Sequence, residues 1–382
     1  MLLEIVPLIA LCAVAVAQSL SPDPNWRDPS TTRTKSERIT IAQNAINTML
    51  QQLDSSTAQF NGIGYWQAAN AFSAMAIQDQ LTKSTTNKAV VVQNLKLAFQ
   101  LWKTYDQFGW WATAAFYAYQ AYGDTQLLNN SIAVWNSVTP YVITQQQASA
   151  GRTPVKSFAL AGSCDDATMA GGVFWRPTTD DTSINSITTG LSSYLAQTTQ
   201  DSKYTNAAIL SATWIKAHNI NSNNIVLDTE SGADCSRSPA SWLFTYNSGK
   251  FIEGLSVLTT VTNDDQWNQL MLNVTAAAVK NTAWQGTNGI ITEGSDNNAN
   301  NDGIGFKAIF IRGLLQAYRK SSNQALLTLL RDYTDVQYNA LLDLASNGTS
   351  YSASWPGPPP TAFTSWGQLA ALDVLTAAVG VN

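Results

Sequence analysis

The sequence predicts an all-α protein built as a double ring, six inner helices alternating with six outer ones in an α/α toroid. Three observations predict it. Apolar residues recur at helical spacing almost to the end of the chain, β-branched alternation is too short for a sheet, and helices apolar nearly all round alternate with amphipathic ones. A helix apolar on every side has to be buried, whereas an amphipathic one turns its polar face to water.

The elements follow in order. After a polar, Pro-containing lead from Ser21 to Thr32, the stretch 39–53 places Ile39, Ala42, Ala45, Ile46, Met49 and Leu53 on one face. Helical patterns continue at 66–81, 89–102, 110–122 and 126–142. A long loop intervenes, and they resume at 184–195, 204–218, 250–261, 267–279, 304–318, 325–344 and 362–379. Asp124, the pair Asp264 and Asp265, and Ser322 stand just ahead of helices, where short polar side chains accept from free N–H groups. Several even-numbered members begin with Gly or aromatics, as in Gly64-Tyr65-Trp66, Gly109-Trp110-Trp111 and Ser248-Gly249-Lys250. Short strands are expected only near 172–175 and 290–292. No Pro/Ser linker divides the chain, so residues 18–382 read as one domain, without a residue-level repeat.

Composition narrows the function. The 382 residues are 45% hydrophobic but only 12% charged, so the surface is polar through Ser, Thr, Asn and Gln. A net charge of −5 with no basic run argues against nucleic acid, which needs clustered Lys and Arg. The single histidine, His218, rules out His-rich metal sites and reads as a satisfied or surface residue. Residues 1–17 are almost wholly apolar and end in Ala15-Val16-Ala17, the length and ending of a cleaved signal peptide, so a secreted, extracellular protein is expected. Cleavage removes Cys12. Cys164 and Cys235 remain, either as a disulfide closing a loop of about 70 residues, worth roughly 4 kcal/mol, or as two buried thiols. Asn129, Asn273 and Asn347 head glycosylation sequons. No metal spacing, membrane anchor or cofactor motif is read, and a monomer is expected.

Four loops leading into inner helices combine Gly, Trp or Tyr, and Asn or Asp. They are 61–67, 105–111, 165–176 and 245–250. Flat aromatics stack on sugar faces, Asp, Asn and Arg bind hydroxyls, and paired carboxylates among them are what glycoside cleavage needs. Plainer roles are open to the same residues: Asp106 as a helix cap, Trp110 and Trp111 as core, Asp165 and Asp166 as a calcium site or turn cap.

Five motifs in order carry a resemblance that spans most of the mature chain. They are Asp106-Gln107-Phe108-Gly109-Trp110-Trp111, then Cys164-Asp165-Asp166 with Gly171-Gly172-Val173-Phe174-Trp175-Arg176, then Ser186-Ile187-Thr188-Thr189-Gly190-Leu191, then Thr245-Tyr246-Asn247-Ser248-Gly249, and finally 302–312, which opens Asp302-Gly303-Ile304-Gly305-Phe306-Lys307. The chain resembles glycoside hydrolase family 76, the α-1,6-mannanase-like family that includes fungal cell-wall proteins. The resemblance implies an (α/α)6 barrel, retaining cleavage of α-1,6-mannosyl bonds and no metal. It places Asp106 as nucleophile, and Gln107 where the family carries the acid/base Asp. An amide has no proton to give at useful pH, and general acid help is worth about 10²–10⁴ in rate.

The expectation is therefore a secreted glycosidase on α-1,6-mannan or a related wall glycan. Asp165 or Asp166 would supply the missing proton. Trp110, Trp111, Trp175, Tyr246 and Asn247 would form sugar subsites with Gln107, while Arg176 and Lys307 hold hydroxyls or carboxylates. Lys307 could instead pair with Asp302. The alternatives are a non-catalytic mannan-binding or wall-scaffolding protein and a wall transglycosidase.

Overall fold

The computed structural model describes residues 19–101, 108–185, 189–295 and 302–382. The expected signal peptide, Asp106, Gln107 and the start of the Ser186 motif lie outside the described residues.

The described chain forms α1 (Lys35–Leu50), α2 (Tyr65–Thr82), α3 (Lys88–Leu101), α4 (Phe108–Tyr122), α5 (Thr125–Val138), α6 (Gln145–Ala150) and α7 (Thr189–Thr199). It continues with α8 (Ser202–Trp214), α9 (Thr245–Thr262), α10 (Asp265–Ala278), α11 (Asp302–Lys320), α12 (Gln324–Leu344) and α13 (Ser365–Val381). Helices α2, α4, α7, α9, α11 and α13 pack in sequence and α13 returns to α2, closing an inner ring. Helices α1, α3, α5, α8, α10 and α12 lie outside it. This is the expected (α/α)6 barrel.

Burial follows the pattern that predicted it. Helix α9 is buried at every position from Thr245 to Leu258, whereas α5 buries only Leu127, Ser131 and Val134, a single stripe. Thr34 and Glu37 form a capping box at α1, and Asp124 and Asp264 each accept from the backbone two residues on. Helices α9 and α11 touch backbone to backbone: a Cβ on Gly249 would meet Phe310 Cα at 2.5 Å, and one on Gly313 would meet Gly249 O at 2.1 Å. That contact explains glycine inside two helices, where it costs about 1 kcal/mol against alanine.

The ring interior is polar as well as apolar. Glu253 of α9 accepts from Lys250 at 2.7 Å, from Tyr194 of α7 at 3.0 Å and from Tyr117 of α4. Arg312 of α11 grips Asp373 of α13 at 2.6 and 2.9 Å and reaches Asn70 of α2 at 2.7 Å. Two buried hubs thus tie the six inner helices in two sets of three, α4 with α7 and α9, and α2 with α11 and α13.

Several boundaries differ from the expectation. The described part of the sixth helix runs over Thr189–Thr199, and Ile184, expected to open it, belongs instead to a short antiparallel pair, Ser183–Ile184 with Glu230–Ser231. Helix α5 stops at Val138, since Pro140 has no N–H to continue it and a 3₁₀ turn follows. Helix α9 opens five residues before Lys250, with Gly249 absorbed into close packing. Helix α6 was not anticipated, its six residues being too short and Gln-rich for an apolar period. The strands expected near 172–175 and 290–292 appear only as isolated bridges, Val142 with Val173, Phe174 with Ile184 and Gln285 with Ile291.

Candidate functional site

The N-terminal ends of inner helices meet at one end of the ring. Trp66, the second residue of α2, lies 5.4 Å between ring centroids from Trp110 of α4 and 5.9 Å from Phe306 of α11. Tyr246, the second residue of α9, lies 4.4 Å from Phe306 and 6.5 Å from Trp110. Four rings from four helices therefore form a closed aromatic circuit, separated as offset or tilted pairs prefer. Phe244 extends it, 5.4 Å from Phe306, and the exposed Trp242 follows 6.0 Å from Phe244. Trp66, Trp110, Phe244 and Phe306 are half-buried, presenting apolar faces to the ring mouth.

Asp228 anchors the polar side. Tyr246 donates its hydroxyl to Asp228 Oδ1 at 2.7 Å and Asn247 Nδ2 donates to the same oxygen at 3.0 Å. Asn185 Nδ2 donates to the Asp228 carbonyl and, at 3.2 Å, to Asn247 Oδ1. Burial, then the Asp228 charge, pushes the Tyr246 hydroxyl well above its ordinary range, so it stays a donor. Lys250 sits one turn below, its ammonium 5.9 Å from the Trp110 centroid. On the opposite side, Asp302 opens α11 and accepts from Gln67 Nε2 at 3.1 Å, and burial raises its carboxyl. Glu293 accepts from the Thr245 N–H at 3.0 Å and from its hydroxyl, and burial raises it to about 7.

The residues singled out from sequence divide accordingly. Trp110, Tyr246 and Asn247 meet at the mouth. Trp111 is core, packed on Tyr65 and Phe72. Trp175 is half-buried beside a cavity next to Trp110, while Arg176 is exposed and offers its carbonyl to Lys156. Lys307 is buried and donates to the carbonyls of Glu293 and Ala353. Its ammonium is thus directed to backbone oxygens and not to Asp302, and burial lowers it to about 7.

Asp165 and Asp166 both have positive φ, at 48° and 64°, and form the two-residue turn of the hairpin Ser163–Cys164 with Ala167–Thr168. Such turns favour Asp and Asn, so local conformation accounts for the pair. Both are exposed, and Asp165 pairs with Arg237 at 3.0 Å. Cys164 and Cys235 are bonded, with Cα atoms 5.7 Å apart. The only ligand cluster found among the described residues, these two sulfurs with Glu230, has both sulfurs committed to that bond. His218 is buried between Glu230 and the Thr168 carbonyl and stacks on Trp214, a satisfied structural residue. Asn129 and Asn347 are exposed, and Asn273 is half-buried in α10.

Sequence reasoning assigned no role to Asp228, Asn185 or Lys250. Asp228 lies in a loop without local pattern. Trp66 lies in the 61–67 loop and Phe306 in the 302–312 motif, and their position two to five residues into an inner helix was the usable signal.

The model of glycosyl hydrolase family 76 matches residues 155–380. Among solved structures, an inactive variant of the α-1,6-mannanase GH76A of Salegentibacter sp. HEL1_6, in complex with α-1,6-mannotetrose, is similar with a TM-score of 0.73 at 16% identity. The match covers 90% of this chain and 99% of that one. Dfg5 of Chaetomium thermophilum, in complex with glucosamine, gives 0.70 at 16% identity over 91% and 92%. A family 76 mannosidase of Bacteroides thetaiotaomicron gives 0.66 at 14% over 90% and 98%. At these identities the likeness concerns the fold. No curated protein matches. No described helix is long and apolar enough to cross a membrane.

Proposed function

The chain belongs to glycosyl hydrolase family 76, and from that premise we propose that it is a secreted glycosidase acting on α-1,6-mannan or a related mannose-containing wall glycan. The observation that carries the reading is the aromatic circuit at the ring mouth, flanked by Asp228 and Asp302. Sugar rings stack on Trp66, Trp110 and Phe306, and the Asp228–Tyr246–Asn247 cluster orients hydroxyls. The mannanase relative bound to an α-1,6-mannose oligomer supports the choice of glycan. The apolar leader and the single disulfide support secretion.

Asp106, two residues before α4, is the nucleophile by its motif. Gln107 occupies the proton donor's place, so the acid comes from another carboxyl. Asp165 and Asp166 stand in an exposed turn. Asp302 is the better placed group, half-buried against α2 with its carboxyl raised by burial, the condition that keeps a proton available.

The test is reducing-end release from linear α-1,6-mannan by the parent, Asp106→Asn and Asp302→Asn. Activity that disappears in both variants supports the assignment. Loss in Asp106→Asn alone returns the acid role to Asp165 or Asp166. Gln107 favours one second reading, a mannan-binding protein that has lost hydrolysis. That reading expects a silent parent, activity gained in Gln107→Asp, and oligosaccharide affinity retained in Asp106→Asn.

A further inference from the structure

A cavity of about 230 Å³ lies beside the mouth, where α4 and α7 of the inner ring part and α5 and α8 stand behind them. Among the described residues, α4 and α7 touch less than any other neighbouring pair of inner helices. The opening in the ring is therefore built by the packing itself.

The two ends of this cavity differ in chemistry. Toward the ring axis it meets Trp110, Lys250 and Asn185. Asn185 is buried and uses both its amide donations, on Asp228 and Asn247, yet its Oδ1 has no hydrogen-bond partner among the described residues. That oxygen is enclosed by its neighbours, so the element a ligand can reach at this end is the half-buried indole of Trp110. Away from the axis the lining is mainly apolar, with Val134, Val138, Ala207 and Leu210 beside the hydroxyl residues Thr139 and Ser211. Water in that part would find few polar partners, whereas each methylene placed there leaves water favourably.

The geometry points to a binding site for an alkyl or acyl chain carried by the glycan, in which the sugar stacks on Trp110 and the chain enters between α5 and α8. The substrate or acceptor class is then a glycolipid or alkyl glycoside. The inference rests on the proposed glycan reading for its sugar but not for its apolar part. Continuity selects this occupant: Trp110 belongs both to the aromatic circuit and to the cavity, so one ligand spans the two.

The experiment is calorimetric binding of octyl α-D-mannopyranoside, below its micelle concentration, against methyl α-D-mannopyranoside. The parent is expected to bind the octyl compound at least tenfold tighter. Ala207→Phe, which fills the chamber from an outer helix, is expected to cut that advantage below twofold without lowering the unfolding midpoint. Val138→Phe from α5 serves the same purpose if Ala207→Phe does not fold. Equal affinities for octyl and methyl mannoside in the parent, or an octyl advantage that survives filling, overturn the inference. An octyl β-D-glucopyranoside that binds as tightly as the mannoside supports the chamber and removes mannose as the sugar.

Discussion

Arg312 and Asp373 form a fully buried, two-pronged ion pair across the inner ring, Nε to Oδ1 at 2.9 Å and Nη2 to Oδ2 at 2.6 Å. A buried charge stripped of its partner is far more costly than a buried pair. Arg312→Met and Asp373→Asn are each expected to lower stability by about 3–5 kcal/mol in denaturant unfolding. The double variant Arg312→Met with Asp373→Leu recovers much of that loss, because it leaves no orphaned charge.

The Asp228 hub makes a narrower prediction. Tyr246→Phe removes one of two side-chain donors to the carboxylate and leaves Asp228 under-paired, at about 1–3 kcal/mol. Affinity for an α-1,6-mannose oligomer is expected to fall at least tenfold in Asp228→Ala, measured by calorimetry, because Tyr246 and Asn247 lose their common anchor. An unchanged affinity would place the sugar elsewhere.

Glu293 and Lys307 predict a shallow stability minimum near neutral pH. Burial raises Glu293 from 4.5 to about 7, so the folded protein keeps a proton that the unfolded chain gives up in that window. Stability therefore falls as pH rises from about 4.5 to 7. Lys307 is lowered from 10.5 to about 7, so between those values the unfolded chain holds the extra proton and stability rises with pH. Glu293→Gln is expected to flatten the acidic limb while the alkaline limb persists, read as unfolding midpoints at pH 5, 7 and 9.

The disulfide closes a separation of 71 residues. Replacing Cys164 and Cys235 together by serine is expected to cost roughly 4 kcal/mol, and a reducing agent should bring the parent to the same midpoint. A midpoint insensitive to both changes would mean that the bond does not form in solution.

The architecture was legible in the sequence because burial leaves a period. The nearly all-round apolarity of α4 and α13 against the single stripe of α5 separated inner from outer helices without any contact being known. Boundaries were less legible where tertiary packing overrode local signals, as at Gly249, which reads as a breaker and is instead a point of backbone contact. The mouth was half legible. Trp110, Tyr246 and Asn247 carry aromatic and amide chemistry at helix starts. Asp228 reaches them from a loop with no pattern, and the pairing of Lys307 with the Ala353 carbonyl joins positions 46 residues apart. Asp165 and Asp166 attracted a catalytic reading by charge alone, when their positive φ values answer a need of the hairpin turn.

The ring mouth is proposed as an α-1,6-mannose site. Calorimetric titration of catalytically inert Asp106→Asn protein with α-1,6-mannotetraose, with and without Trp110→Ala added, tests it most directly. Measurable binding is expected, weakening at least tenfold when Trp110 is removed from a protein that stays folded. Absence of binding, or equal affinity in the two proteins, would contradict it.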